Sequence, residues 1–129
     1  MIKTIYFIFF ACAFSLGLWA CTSKQKEEYK NLSSAQFEEL IKNENVQLLD
    51  VRTLAEHMEG HIPGSLNINV KDENFASCVD DLLDTNKEVA VYCRSGRRSK
   101  EAAEKLVKLG YTNIVEFGGI LDWKGEIEI

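Results

Sequence analysis

The segment that most constrains this chain is Glu88–Cys93, EVAVYC, where Val89, Ala90, Val91 and Tyr92 follow one another with no polar residue between them. A strand with one wet face alternates apolar and polar side chains. An unbroken apolar run belongs to a strand covered on both faces, as in a parallel sheet flanked by helices. The surroundings fit that architecture. Ser33 and Gln36 form a capping box ahead of Phe37, Leu40 and Ile41, which share a helical face. Val46–Val51 and Leu66–Val70 are short apolar strands, separated by TLAEHMEGHIPGS, a polar loop with room for one helical turn. Phe75, Cys78, Val79 and Leu82 define a second helical face. Ala102, Leu106 and Leu109 define a third, on a helix starting near Arg98 or Ser99 and ended by Gly110 at C′. A strand within NIVEFGG runs into a Gly-Gly turn, and Trp123 is expected as a lid on the edge of the core. Strands and helices alternate from about residue 30 onward. This predicts one α/β domain, residues 29–129, with a mostly parallel sheet of about five strands flanked by helices.

In such a sheet, ligands bind beyond the carboxyl ends of the strands. The run VAVY delivers Cys93 to such an end, followed at once by Arg94, Ser95, Gly96, Arg97, Arg98 and Ser99. A tight loop entering a helix there turns backbone N–H groups inward and meets the positive end of the helix dipole. Gly96 permits the backbone angles such a loop needs. A cysteine in that setting is favoured as thiolate and is a candidate nucleophile. The loop could cradle a phosphate, a sulfur atom or a metal. A phosphate-clamping arginine belongs six positions after the cysteine, but Ser99 stands there and Arg98 comes one residue early. There is no Cys-x2-Cys pair and only His57 and His61 could assist, so no metal site and no cofactor are expected. Asp50, Arg52 and His61 are expected to brace loops at the strand ends, as structural support. Cys78 is expected in the core, with a disulfide to Cys93 as the alternative.

The formal net charge is −5, which disfavours a nucleic-acid partner and makes the cluster Arg94, Arg97, Arg98 and Lys100 stand out. The first twenty residues are different in kind: Lys3 is their only charge, and Ile5–Ala20 is almost wholly apolar. That is a signal peptide pattern over residues 1–20, and removing it deletes one positive charge to leave −6. The closing residues Leu18 to Cys21 resemble a bacterial lipobox, which implies that Cys21 carries lipid. An uncleaved membrane anchor is the alternative. Residues 21–28 are polar and read as a flexible, lipid-bearing tether. Either way the domain is expected in the cell envelope, periplasmic or surface-facing and held to a membrane. Cys12 falls within the leader, so Cys78 and Cys93 remain as the free thiols.

Two stretches, LLDVRTLAEHMEGHIPGSLNINV and VAVYCRSGRRSKEAAEKLVKLGYTNIVEFGGILDWKG, resemble the single-domain rhodaneses, the thiosulfate sulfurtransferases. Asp50-Val51-Arg52, Glu56 and Gly60-His61-Ile62-Pro63-Gly64 match the first signature of that family. Cys93 with a glycine three residues on, Gly118-Gly119 and Trp123 match the second. The resemblance runs from about residue 29 to Gly125, and His57 stands where the family often has an aromatic. It implies that Cys93 takes the outer sulfur of a small anionic donor such as thiosulfate. The resulting persulfide would pass to a thiol, a reducing partner or cyanide. The N–H groups of Arg94 to Ser99 would stabilise the anionic sulfur. Arg94, Arg97 and Arg98 would draw in the donor; spacing does not decide which of them touches it. Two alternatives stand beside this reading: a catalytically silent rhodanese-like binding module, and a cysteine-dependent phosphatase or arsenate reductase.

Overall fold

A computed structural model describes residues 28–129. The expected signal peptide of residues 1–20, Cys12, the expected lipidation site Cys21 and all but the last residue of the expected tether lie outside the described residues. In chain order the elements are β1 (Lys30–Leu32), α1 (Ser34–Ile41), β2 (Gln47–Asp50), α2 (Leu54–Glu59), β3 (Leu66–Asn67), α3 (Phe75–Leu82), β4 (Val89–Tyr92), α4 (Arg97–Lys108) and β5 (Ile114–Phe117). A short 3-10 turn, Ile120–Asp122, follows. The five strands form one sheet in the order β1-β5-β4-β2-β3, and every neighbouring pair is parallel. The protein is thus an α/β domain of five parallel strands between helices.

The strand that reads as covered on both faces, β4, is the middle one, and all four of its residues are buried. Its side chains alternate between two cores. Val89, Val91 and then Cys93 pack with Phe75 and Val79 of α3 and with Ala102, Ala103 and Leu106 of α4. Ala90 and Tyr92 face the other layer with Phe37 of α1, Leu48, Ile62, Val115 and Phe117. Burying side chains of this size is worth about 1.5–3 kcal/mol each, so a central strand apolar on both faces anchors both layers. Trp123 closes the second core edge-on to Phe37, with ring centroids 6.2 Å apart.

Five local readings change. The first strand, β1, is a three-residue edge element between the expected tether and the capping box at Ser33, where the sequence shows no strand pattern. Its register is set by β5, Lys30 opposite Val115 and Leu32 opposite Phe117. The loop after Arg52 holds a six-residue helix, α2, because the Thr53 hydroxyl accepts from Glu56 N–H and caps it. The strand expected over Leu66–Val70 keeps only two ladder residues. Ile68 and Val70 still enter the core, their N–H groups donating to Asp50 O and Val51 O. On α3 the inward stripe is Phe75, Val79 and then Leu83. Leu82, the last helical residue, is 58% exposed, because the inward row runs at i, i+4 spacing to Leu83. Gly96 is the N-cap of α4, so that helix begins at Arg97, slightly earlier than its apolar stripe suggests. Leu109 stands at the rim of its stripe.

Candidate active site

The site lies where β2, β4 and β5 end side by side. Cys93 follows β4 directly, and its residue is 1% exposed. The thiol sits against the entry to α4: Gly96 N–H donates to Sγ at 3.0 Å, and Sγ lies 3.9 Å from Gly118 O. Gly96 has φ +110°, a conformation open to glycine because it carries no Cβ. The loop is clamped from the β5 side. Ile120 N–H donates to Cys93 O at 2.9 Å, and Leu121 N–H to Arg94 O at 3.3 Å. A Cβ on Gly119, whose φ is +149°, would stand 2.1 Å from Arg94 O. The Gly118-Gly119 turn therefore forms one wall of the cysteine loop, with no room for any side chain at its second residue.

The arginines divide into two kinds. Arg98 is held by α2: its Nη1 and Nη2 donate to the two oxygens of Glu56, each at 2.8 Å, a fork-to-fork pair. The hydrogen bond to Glu56 raises the Arg98 pKa, with the attraction of the Glu56 charge, against the opposing effect of burial. Reciprocally, Arg98 holds the Glu56 carboxyl below its ordinary value. Arg94 and Arg97 are exposed. Ser95 is exposed too, whereas Ser99 is fully buried. The Ser99 hydroxyl lies 2.7 Å from Glu116 Oε2 and 3.0 Å from Gly96 O, on the core side of the loop.

Behind the site, Asp50 at the end of β2 is a fully buried hub. Arg52 donates to it three times, from its backbone N–H at 3.0 Å, Nε at 3.0 Å and Nη2 at 2.7 Å. Nη2 also reaches Gly60 O at 2.7 Å and so ties the loop after α2 to β2. His57 Nδ1 donates to Asp50 Oδ2 at 2.9 Å, and Tyr92 O–H donates to the same oxygen at 3.1 Å. Burial pushes the Asp50 carboxyl up, but the hydrogen bonds from Arg52 and His57 and the Arg52 charge outweigh it, and the net direction is down. Burial pushes the Tyr92 phenol up to about 12; Ser65 works against this and the Asp50 charge with it, so the O–H persists as a donor. His61 donates from Nδ1 to His57 O at 2.9 Å, and its ring stacks on His57 with centroids 3.8 Å apart. Asp50, Arg52 and His61 thus lie in one network, beside rather than within the cysteine loop. His57, at the position that departs from the usual aromatic, is part of it.

Cys78 packs against the α3–α4 core as a half-buried free thiol. Among the described residues, no three His, Cys, Asp or Glu side chains converge to hold a metal ion, and no helix is long and apolar enough to cross a membrane. Two residues that carry the geometry escaped the sequence reading as site residues. In the sequence Glu56 stands only as a motif position, and Glu116 is an acid interrupting the apolar run in NIVEFGG. An acid inside a strand buried at all four positions is itself a signal of a specific partner.

The chain matches the model of the Rhodanese-like domain over residues 33–126. It is 40% identical over 76 residues to the thiosulfate sulfurtransferase PspE of Escherichia coli (strain K12), covering 57% of this chain and 70% of that protein. It is 31% identical over 124 residues to the thiosulfate:glutathione sulfurtransferase of Saccharomyces cerevisiae (strain ATCC 204508 / S288c), covering 84% of this chain and 89% of the relative. A tRNA uridine(34) hydroxylase of Prochlorococcus marinus (strain MIT 9312) is 38% identical over 104 residues, 74% of this chain; the chain spans about a third of that longer protein, 34% of its length. Among solved structures, a rhodanese-related protein from Thermoplasma volcanium superposes with a TM-score of 0.63 at 31% identity, covering 78% of this chain and 98% of that one.

Proposed function

The chain belongs to the rhodanese-like domain family, and from that premise we propose that it is a sulfurtransferase carrying the transferred sulfur as a persulfide on Cys93. The single observation behind this is the placement of Sγ, buried, under the Gly96 N–H at the N-terminus of α4. In the first half-reaction the Cys93 thiolate attacks the outer sulfur of a donor such as thiosulfate. A new S–S bond forms, the donor's own S–S bond breaks, and sulfite departs with its electron pair. Cys93 then carries a terminal anionic sulfur, for which a backbone N–H and the helix end supply stabilisation. In the second half-reaction a thiolate or cyanide attacks that sulfur and releases Cys93 as thiolate. Arg94 and Arg97 stand exposed at the loop and are suited to attract the anionic donor.

Arg98 argues against phosphatase chemistry. Its guanidinium fork is already filled by Glu56, so it is not free to clamp a tetrahedral anion. The presence of Cys93 in this cradle supports catalysis over the alternative of a silent binding module. By its leader pattern, the domain works in the cell envelope on a lipid at Cys21; Cys21→Ser is expected to abolish fatty-acid incorporation in cells.

The test is steady-state thiocyanate formation from thiosulfate and cyanide. Two half-reactions on one cysteine predict parallel double-reciprocal lines and complete loss of turnover in Cys93→Ser. Intersecting lines, turnover surviving in Cys93→Ser, or no thiocyanate from the wild-type protein would overturn the proposal.

A further inference from the structure

Glu116 is an acid for which the sulfur-transfer mechanism has no direct use. It sits on β5 opposite Val91 of β4, on the sheet face that also carries Cys93, and is 0% exposed. A buried carboxyl needs hydrogen-bond partners, since leaving it bare is costly. Its partners are neutral: the Asn31 side-chain amide on β1 and the Ser99 hydroxyl on α4. Ser99 has one proton and two acceptors in range, Glu116 Oε2 at 2.7 Å and Gly96 O at 3.0 Å. The Gly96 carbonyl also accepts the first helical bond of α4, from Lys100 N–H at 3.3 Å.

Gly96 is the hinge on which the site turns. Its N–H is the donor to Cys93 Sγ, yet a glycine has little intrinsic preference for its own backbone angles. It is also an N-cap with no side chain to hold the helix end. The direction of that N–H must therefore be set by neighbours. On one side is the Gly118 carbonyl, 3.0 Å from where a Gly96 Cβ would stand. On the other is the chain Asn31, Glu116, Ser99, Gly96 O.

We propose that Glu116 is a positioning residue for Cys93: anchored by Asn31, it fixes Ser99 beneath the first turn of α4 and so aims the Gly96 N–H at Sγ. The inference rests on the reading of Cys93 as the nucleophile. It ties the catalytic loop to β1, the edge strand that opens the domain.

The experiment is the rate of Cys93 carbamidomethylation by iodoacetamide as a function of pH, read by peptide mass mapping so that Cys78 is counted separately. Misaligning one donor to an anionic sulfur lowers the rate at neutral pH about tenfold. Glu116→Ala and Ser99→Ala should each show that loss, with the half-maximal rate moved to higher pH. The double variant should be no slower than either single one, because the two residues act through one contact. Glu116→Gln, which keeps an acceptor for Ser99 and offers its amide to Asn31 turned over, should stay within about twofold of wild type. A folded Glu116→Ala protein with an unchanged pH profile would overturn the proposal, as would losses that multiply in the double variant. Should Glu116→Ala fail to melt cooperatively, Ser99→Ala carries the same test. Alkylation needs no sulfur donor. A wild-type protein that forms no thiocyanate, but whose variants show the coupled loss, sinks the sulfur-transfer reading and leaves this one standing; the reverse pattern does the opposite.

Discussion

Asp50→Asn removes the charge on which the region behind the site converges. Asp50 is 0% exposed, Arg52 is 5% exposed, and their closest contact is 2.7 Å. Taking one partner from a buried pair leaves the other charge uncompensated, at a cost of about 3–5 kcal/mol. For a domain of this size that is a large share of a total stability of about 5–15 kcal/mol. The melting temperature should fall by at least about 12 °C. The pH dependence follows from the direction of the shift. The Asp50 carboxyl titrates below its ordinary value in the folded protein, so its contribution is fully present above the unfolded carboxylate value and is lost as pH falls through the folded one. Urea melts of wild type and Asp50→Asn should thus differ by the full amount at neutral pH and converge in acid. Replacing both partners, Asp50→Asn with Arg52→Met, should recover part of the loss, because no buried charge is then left alone. A single variant within about 1 kcal/mol of wild type at neutral pH, or a gap that widens in acid, would show that the Asp50 charge does not hold this pair.

Three further outcomes concern the loop. Glu56→Gln should change stability by less than about 1 kcal/mol, since its pair with Arg98 is partly exposed. By freeing the Arg98 fork it should lower the KM for an anionic donor several-fold in steady-state assays. Gly119→Ala should abolish transfer and cost more than about 2 kcal/mol in a denaturant melt, because its Cβ would overlap the Arg94 carbonyl. Arg94→Ala and Arg97→Ala should leave the melting temperature unchanged and raise the donor KM, with the difference from wild type shrinking as ionic strength rises.

The parts of this fold written in local pattern were legible in the sequence. The apolar run of β4 placed it at the centre of the sheet, and Ser33 with Gln36 marked the start of α1 by a cap that the structure contains. What escaped depended on partners distant in the chain. Lys30-Asn31-Leu32 has no strand pattern of its own and is a strand because β5 supplies a ladder. Leu83 rather than Leu82 turns inward because it continues the i, i+4 row of Phe75 and Val79, a choice between neighbouring leucines that is made by the core they meet. The same distinction runs through the site. Cys93 and the loop after it stand together in sequence, whereas Glu56 meets Arg98 across 42 residues and Glu116 meets Ser99 across 17. Side chains joined only by the sheet's crossovers leave no spacing to read.

Sulfur transfer by this chain depends on Cys93 itself carrying the sulfur. Its most direct test is the mass of the purified domain after thiosulfate and removal of excess donor, followed by peptide mapping. A gain of one sulfur atom is expected on the peptide containing Cys93, lost again when cyanide is added. No gain, or a gain on the peptide containing Cys78, would contradict it.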